Sequence, residues 1–351
     1  MFKPKSQPLL GLDISSSAVK VLELKQQADG YRVEAYAVVP LPPEAVVEKS
    51  IVDVDAVGER IRRAVQQSGT KLKLASMAVP SSAVITKVIP MPADIKDEDL
   101  EAQIELEADQ YIPYSLDEVS LDFEVQGPTN GAPENVDVLI AASRNENVEM
   151  RSAAAEMAGL TPRVMDIEAY AIEHAYPLMA EGVFGDNAPS LVGVVEVGAT
   201  MTSINVLKDG RLIYTREQNF GGKQLTEEIM RRYGLSFEEA GQAKVRGGLP
   251  DSYLVEVLEP FKETMAQQVS RLLQFFYSST QYESVDHIML GGGCAAIPDV
   301  DETIMARTGT PVTIANPFSR MALSPKVDSK AVAADAAALL IPCGLALRSF
   351  D

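Results

Sequence analysis

One pattern constrains the fold most. It is a short apolar strand ending in a carboxylate, a turn of small hydroxyl residues, and a second apolar strand. In residues 9–24 the carboxylate is Asp13, and the turn contains Ser15, Ser16 and Ser17. Small turn residues let backbone N–H groups point at an anion. A carboxylate beside a phosphate needs a cation between them, and Mg²⁺ suits one or two carboxylates plus phosphate oxygens. Taken alone, the stretch is more simply a β-hairpin with a serine-rich loop.

The pattern returns in residues 191–206, where Glu196 is the carboxylate. The second turn and the strand after it supply further candidate phosphate ligands: Gly198, Ala199, Thr200 and Thr202. A third strand, residues 287–290, runs into Gly291, Gly292 and Gly293. Glycines permit positive φ and close approach of a flat ligand to the backbone. Two phosphate-type hairpins followed by a glycine triplet are much more specific than any single motif, and they indicate a nucleotide site.

Composition limits the other possibilities. The 351 residues are too many for one core, so two or more domains are expected. A net charge of −19 and the absence of Trp argue against binding to nucleic acid. Two cysteines, Cys294 and Cys343, and an N-terminus without an apolar segment predict a cytoplasmic protein without a disulfide framework. No apolar stretch is long enough to span a bilayer.

Along the chain, strands and helices alternate in an order that predicts a mixed α/β fold. Residues 81–143 differ from the preceding segment in the order of their predicted elements, which is strand, helix, strand, strand. The apolar face of the helix extends to Tyr111. The opposite face of that helix carries Glu101, Glu105 and Asp109, by default a solvated surface. Residues 254–276 and 331–347 are predicted as two continuous helices, the first with Leu254 on its buried face.

The hairpins and the glycine triplet resemble the actin-like ATPase superfamily, which has a ribonuclease H-like two-domain fold. The first phosphate motif matches at Asp13 and Lys20, with Ser15 in place of a glycine. The second matches at Gly198 and Thr202, with Glu196 in place of an aspartate. Glu168 lies where the superfamily often positions the attacking water.

The inserted segment narrows the resemblance. The run Ile104-Glu105-Leu106-Glu107-Ala108-Asp109-Gln110-Tyr111-Ile112-Pro113-Tyr114 strongly resembles the PilM family of type IV pilus assembly proteins, relatives of the division protein FtsA. The resemblance covers essentially the whole chain. It implies subdomain 1A (1–80 and 144–190), an SHS2-type insert 1C (81–143), 2A (191–220 and 284–351, with its last helix returning toward 1A) and 2B (221–283).

The resemblance also implies roles. Asp13 and Glu196 would hold Mg²⁺, and Glu168 and Glu196 would serve any catalysis. ATP or ADP would contact Asp13, Ser15, Ser16, Ser17, Lys20, Gly198, Ala199, Thr200, Thr202, Gly221, Gly222, Lys223, Lys244, Gly291, Gly292 and Gly293. The expected partners are the short N-terminal cytoplasmic tail of a PilN-type membrane protein and other pilus assembly proteins, and a homo-oligomer is a further expectation. Binding to the tail would make the chain peripheral on the inner membrane.

One departure concerns residues 240–244. FtsA-like proteins often have Ala-Glu-x-x-Lys there, whereas this chain keeps Lys244 and has Gly241 in place of the Glu. This departure bears on nucleotide affinity or turnover. We expect slow or no hydrolysis, because Glu196 is one methylene longer than the usual aspartate. Two alternatives stay open, a filament-forming cytoskeletal protein like FtsA or actin and, with no convincing general base, a sugar-kinase-type phosphotransferase.

Overall fold

The first 80 residues build most of one large sheet. The computed structural model describes residues 7–95 and 97–351. Its first segment forms β1 (Leu10–Ile14), β2 (Ala18–Gln27), β3 (Gly30–Pro40), β4 (Val46–Val47), β5 (Ser50–Ile51), α1 (Val54–Ser68) and β6 (Leu74–Val79). Strands β1, β2 and β3 are an antiparallel meander, and β6 pairs in parallel with β1. Asp53 caps α1 by accepting the Ala56 N–H, and the predicted apolar positions Val57 and Ile61 are buried.

The segment that follows is a small unit with its own core. It forms β7 (Val84–Pro92), α2 (Asp97–Ala108), β8 (Val119–Thr129) and β9 (Ala132–Arg144), with the strands in the order β7-β9-β8. The predicted extension of the helix to Tyr111 is wrong. Ile112 precedes Pro113, which disfavours helical backbone at Ile112. The chain therefore turns after Ala108, and Ile112 fills the small core while Tyr111 is exposed.

The chain then returns to the first sheet through α3 (Asn145–Met157), β10 (Thr161–Ile167) and α4 (Glu168–Phe184). Strand β10 pairs in parallel with β6 at the sheet edge. Helix α4 has no side-chain cap of its own. The Ala169 N–H donates instead to Ser81 Oγ, from the junction with the small unit, at 3.1 Å. The start of α4 is thus tied to the segment that enters that unit.

The second large sheet repeats the topology of the first. Its part of the chain forms β11 (Leu191–Val197), β12 (Thr202–Lys208), β13 (Arg211–Gln218), α5 (Gly222–Tyr233), α6 (Phe237–Arg246), α7 (Glu259–Ser279), β14 (His287–Gly291), α8 (Val300–Thr308) and β15 (Val312–Ile314). Strands β11, β12 and β13 form a meander, and β14 pairs in parallel with β11 as β6 does with β1. The strand order is β13-β12-β11-β14-β15.

The long helix predicted from residue 254 is not regular. Residues 254–258 form a π turn before α7 begins at Glu259. A π turn holds extra residues per turn and shifts the facing of the residues before it. Leu254 consequently lies in solvent, contrary to the prediction, whereas Met265, Val269 and Phe276 are buried as predicted.

The end of the chain returns to the first sheet. It forms β16 (Ala322–Leu323), α9 (Ser329–Asp335) and α10 (Leu340–Leu347). Strand β16 pairs in parallel with β3, at the edge of the first sheet. The sequence analysis did not predict this strand, since two residues carry no readable strand pattern. The predicted continuous helix is also wrong. Pro342 has no N–H for an interior helical bond, and the chain bends by 95° before restarting at Leu340.

Helices α4 and α10 lie between the two large sheets and join them into one core. A single buried cluster contains Leu22 and Val33 of the first sheet, Val194 and Met289 of the second, and residues from both helices. The close packing depends on Gly344. An added Cβ at that position would lie 1.7 Å from the Ala171 carbonyl oxygen of α4.

Candidate functional site

The turns of the two matching hairpins meet between the two sheets. The β1–β2 turn contains Ser16 and the β11–β12 turn contains Thr200, and Thr200 Oγ1 donates to Ser16 Oγ at 2.8 Å. Both side chains are half-buried. Two segments that are 184 residues apart in sequence are therefore in direct contact. We call the region around this contact, between the two sheets, the cleft.

Asp13 and Lys20 form a buried ion pair at the base of the first turn. They are directly opposite each other in the β1–β2 ladder, so both side chains project from the same face. Lys20 Nζ donates to Asp13 Oδ2 at 2.9 Å. Burial by itself would lower the pKa of Lys20, but Asp13 and, more weakly, Glu196 raise it above its usual value. The lysine is therefore fully charged at neutral pH.

Glu196 lies near this pair, at the end of β11. Burial raises the pKa of Glu196 to about 7, and the carboxylates of Asp13 and Glu168 add to the rise while Lys20 opposes it. A carboxyl with this pKa is half ionised at neutral pH. It can become a carboxylate ligand when positive charge approaches.

Glu168 is the first residue of α4, and its side chain is buried. Lys49 Nζ lies 2.5 Å from Glu168 Oε2 and 2.8 Å from Glu217 Oε1. Burial raises the pKa of Glu168, and Lys49 opposes that rise. The sequence analysis selected neither Lys49 nor Glu217. Neither residue belongs to a recognisable motif, and only the tertiary fold brings them to the cleft.

Two predicted phosphate ligands, Ser15 and Thr202, have other hydrogen-bond partners here, and the side chain of a third, Ser17, is exposed without a hydrogen-bond partner among the described residues. The Ser15 hydroxyl and N–H both donate to the Ala18 carbonyl oxygen, which closes the first turn. Thr202 is fully buried and its hydroxyl donates to the Phe220 carbonyl oxygen at 2.9 Å. Of the hydroxyls in the two motifs, Ser16 and Thr200 are the ones that face each other across the cleft.

The start of α5 packs directly on the second turn. The N–H groups of Gly222 and Lys223 donate to the carbonyl oxygens of Gly198 and Ala199, at 3.0 and 2.7 Å. An added Cβ at Gly221 would lie 2.6 Å from Ala199 backbone atoms. The first N–H groups of this helix thus hold the turn in place, and the glycine permits the contact.

Lys244 and Cys294 lie beside this contact. Lys244 Nζ donates to Thr226 Oγ1 at 2.8 Å and to the Gly222 carbonyl oxygen at 3.2 Å. Burial lowers the pKa of Lys244 and raises the pKa of Cys294 to about 11. The thiol is therefore protonated and unreactive at neutral pH.

The glycine triplet is mainly a packing device. Gly292 has φ +83° and donates its N–H to the Ala337 carbonyl oxygen at 2.7 Å. An added Cβ there would lie 2.3 Å from the Val197 carbonyl oxygen, and one at Gly291 would lie 2.4 Å from Leu340 Cδ1. Only Gly293 is exposed with open space around it. The first two glycines are thus needed for contacts within the protein.

A cavity that the sequence did not indicate adjoins the turn after the glycines. Its volume is about 460 Å³. It is lined mostly by small residues, namely Ala295, Ala296, Ile314, Ala315, Asn316, Ala333, Ala334, Ala336 and Ala337. Small side chains leave room for a flat ring, and the Asn316 amide is the most polar side chain in the lining.

The cleft between the sheets gathers several buried charged side chains. Asp13, Glu168, Glu196 and Glu217 face two lysines there, and Glu217 Oε2 is buried without a hydrogen-bond partner. No group of three or more His, Cys, Asp or Glu side chains placed to hold a metal was found among the described residues. Mg²⁺ does not need such a cage, because it keeps several waters and shares its shell with phosphate oxygens. The residues present fit a magnesium–phosphate group.

The fold and the cleft define the class of protein to which this chain belongs. Two sheets of repeated topology joined by two helices, with matched hairpin turns at the cleft, form the two-domain actin-like α/β fold that the sequence predicted. The family model for the type IV pilus assembly protein PilM matches residues 11–350. The chain belongs to this family.

Two solved structures illustrate the similarity. The chain matches a structure of the PilM–PilN type IV pilus biogenesis complex at 27% identity and a TM-score of 0.81, over 99% of this chain and 100% of that one. It matches the ethanolamine utilization protein EutJ from Carboxydothermus hydrogenoformans at 16% identity and a TM-score of 0.58, over 99% of this chain and 90% of that one. The second similarity shows the fold alone.

Membrane-spanning potential is low in the part of the chain that the structure describes. No single helix there is both long and apolar enough to cross a bilayer. The bent pair 329–338 and 340–350 passes such a test only when its two halves are taken together, and it includes the buried core helix α10.

Proposed function

We propose that this chain is a nucleotide-binding assembly factor that docks on the cytoplasmic tail of a PilN-type membrane protein. The observation that carries the proposal is the match over nearly the full length of both chains to the PilM–PilN complex. The chain would then act at the cytoplasmic face of the inner membrane, held there by its partner. The division into subdomains 1A, 1C, 2A and 2B, with the predicted bounds, is part of the proposal.

The cleft supports Mg²⁺ with ATP or ADP as the ligand. Asp13 and Glu196 would face the metal, and Ser16, Thr200 and the turn at Gly198 and Ala199 would face the phosphates. Lys20 would add positive charge beside them. The metal would supply charge that offsets repulsion between the phosphates and the carboxylates.

The nucleoside would lie on the other side of the second turn. Gly221, Gly222, Lys223, Lys244 and Gly293 border that region, and Gly291 and Gly292 would act through packing. The 460 Å³ cavity beside Ala296 and Asn316 is our candidate place for the base, because ligand pockets are mostly apolar with a few polar groups.

Hydrolysis should be slow. Glu168 is the candidate for orienting a water, yet its carboxylate is held by Lys49 at 2.5 Å. Glu196 is one methylene longer than the usual aspartate, and a displacement of about 1 Å can cost roughly a hundredfold in rate. We expect a turnover well below the roughly 1–100 per second that is typical of kinases.

The partner tail would bind between the first sheet and the small unit of 84–144. Exposed apolar side chains on that unit, Leu106, Tyr111 and Tyr114, could contact apolar residues of the tail. Glu101, Glu105 and Asp109 are exposed nearby. They would pair with basic residues of the tail, mainly steering association and making it salt-dependent.

The test is a titration of a fluorescent peptide that corresponds to a PilN-type cytoplasmic tail. Wild type should bind it, and the Glu101→Lys, Glu105→Lys double variant should bind more weakly, most clearly at low salt. A matched control is Glu238→Lys, Glu283→Lys, which reverses two exposed charges in the second half of the chain. No binding to wild type would contradict the docking proposal. Equal binding by both double variants would show that the acidic face does not contribute to tail binding, and it would leave the rest of the docking proposal standing.

A further inference from the structure

The small β4–β5 hairpin has an unfavourable turn. Glu48 and Lys49 are its two turn residues, and both have positive φ, +48° and +64°. Two-residue hairpin turns of this kind normally contain Asn and Gly. Most residues with a Cβ lose stability at positive φ, whereas Gly has no Cβ and the short polar side chain of Asn tolerates this conformation. Backbone in this region persists when the surrounding structure requires it, and it commonly marks a functional position.

The surroundings of the turn supply the requirement. Arg151, on α3, is almost completely buried and its Nη2 donates to the Lys49 carbonyl oxygen at 2.7 Å. Its Nη1 donates to the Asn147 carbonyl oxygen at 3.2 Å. The guanidinium thus holds the backbone of Lys49 to α3.

The Lys49 side chain reaches across the cleft. Its ammonium lies between Glu168 of α4, which packs with the first sheet, and Glu217 of β13, in the second sheet. All three side chains are at least 85% buried, with exposures of 15%, 9% and 6%. Removing one partner from a buried ion pair leaves an uncompensated charge and is strongly destabilising. Without Lys49, two buried carboxylates would also repel each other across the cleft.

We propose that Lys49 is a positioning residue that holds the two halves of the molecule together across the cleft. Its ammonium keeps the Glu168 and Glu217 carboxylates close, and Arg151 with the strained turn keeps the ammonium in place. The proposal goes beyond nucleotide or tail binding, since it concerns the relative position of the two sheets in the protein alone.

The test measures that position directly. Nitroxide labels at Arg63→Cys on α1 and Glu238→Cys on α6, both exposed sites, report the distance between the two halves by pulsed electron resonance, without nucleotide. The native Cys294 and Cys343 are buried, and an unsubstituted sample measures any background labelling. Lys49→Met should lengthen and broaden the distance distribution. The control Lys330→Met, which removes an exposed lysine, should leave it unchanged.

Two further variants separate positioning from a general loss of structure. Lys49→Arg keeps the charge and should return the distribution toward wild type. Lys49→Met combined with Glu217→Gln removes the repulsion between the two carboxylates and should open less than Lys49→Met alone. The proposal is overturned if Lys49→Met matches wild type, or if both compensating variants are as open as Lys49→Met. If Lys49→Met does not fold, the two compensating variants are compared with wild type instead. Both should then fold with distance distributions near that of wild type, and the proposal is overturned if neither does. Because no nucleotide is present, failure here is distinct from failure of nucleotide binding.

Discussion

At the scale of single residues, the cleft contains buried carboxylates whose negative charge is offset by two lysines, Lys20 and Lys49. Substitution of Asp13 is the most direct test of the proposed nucleotide site, because Asp13 lies near the end of β1 and pairs with Lys20. A ligand that binds only the folded state stabilises it by about 2.7 kcal/mol at a hundredfold excess over Kd. Asp13→Ala should lose most of the thermal shift that Mg-ATP produces in wild type. The exposed control Asp29→Ala should keep it, and an unchanged shift in Asp13→Ala would remove Asp13 from the site.

Glu196 predicts a pH dependence of stability in the protein without added metal. Its pKa is about 7 in the folded state, above the ordinary value of 4.5. Between these values the folded state holds a proton that the unfolded state releases, so the free energy of unfolding falls as pH rises through this window. Ionised Glu196 is thus less stable in the folded than in the unfolded state, and this difference is the penalty for burying its charge. Below the window Glu196 is protonated in both states, and the penalty vanishes.

Glu196→Gln mimics the protonated form and therefore measures this penalty. In EDTA, the variant should be more stable than wild type at pH 8, and the difference should shrink toward pH 5. Each unit of pKa shift corresponds to about 1.4 kcal/mol. Chemical denaturation at several pH values measures the difference, and an advantage that does not change with pH would show that Glu196 titrates normally.

At the scale of elements, two close backbone contacts position the segments around the cleft. One is the contact of α5 with the second hairpin turn, and the other is the contact of α10 with α4. Gly344 makes the second possible, because a Cβ there would lie 1.7 Å from the Ala171 carbonyl oxygen. Backbone cannot move aside as a flexible side chain can, so overpacking costs more here than in an ordinary core position.

Gly344→Ala should therefore destabilise the protein by about 2 kcal/mol or more, at the upper end of overpacking effects. The matched control is Gly241→Ala, in the interior of α6, where nothing lies within 4 Å of the added Cβ. That change should be neutral or stabilise by up to about 1 kcal/mol. Urea unfolding of the three proteins measures both effects. Equal stability of Gly344→Ala and wild type would mean that α4 and α10 can separate at little cost.

At the scale of the whole molecule, the small unit and the cleft are physically connected. Ser81, where the chain enters the unit, caps α4 at Ala169, next to Glu168. Arg151 lies on α3, the helix by which the chain leaves the unit, and bonds to Lys49. A ligand that favours one arrangement of the cleft can therefore bias the surface of the unit.

We predict that Mg-ATP tightens binding of the PilN-type tail, and that the tail tightens binding of Mg-ATP by the same factor. The equality is required by thermodynamic linkage, and couplings of this kind are typically about 5- to 150-fold. Tail titrations with and without nucleotide, and nucleotide titrations with and without tail, measure the two factors. Ser81→Ala should reduce both together. Identical tail affinity in the presence and absence of bound nucleotide would contradict the coupling.

The sequence alone determined the fold class of this protein and most of its regular helices and strands. The repeated hairpins, the strand before the glycine triplet and the apolar spacing in α1 and α7 are local patterns, and local patterns decide which backbone conformation buries apolar side chains. The family could be inferred for the same reason, because its most specific stretch, residues 104–114, is continuous in sequence.

Only the tertiary structure decided the rest. Lys49, Glu168 and Glu217 are distant in sequence, and nothing local marks a lysine as the bridge between two carboxylates. The π turn at 254–258 has no signal in the helical spacing of the sequence, whereas the bend before Leu340 follows from Pro342, which the spacing argument did not take into account. Gly291 and Gly292 match a ligand motif in sequence, yet their missing side chains serve contacts with Leu340 and Val197. Pairings of this kind depend on which surfaces the folded chain brings within a few ångströms of each other, and sequence spacing does not encode that distance.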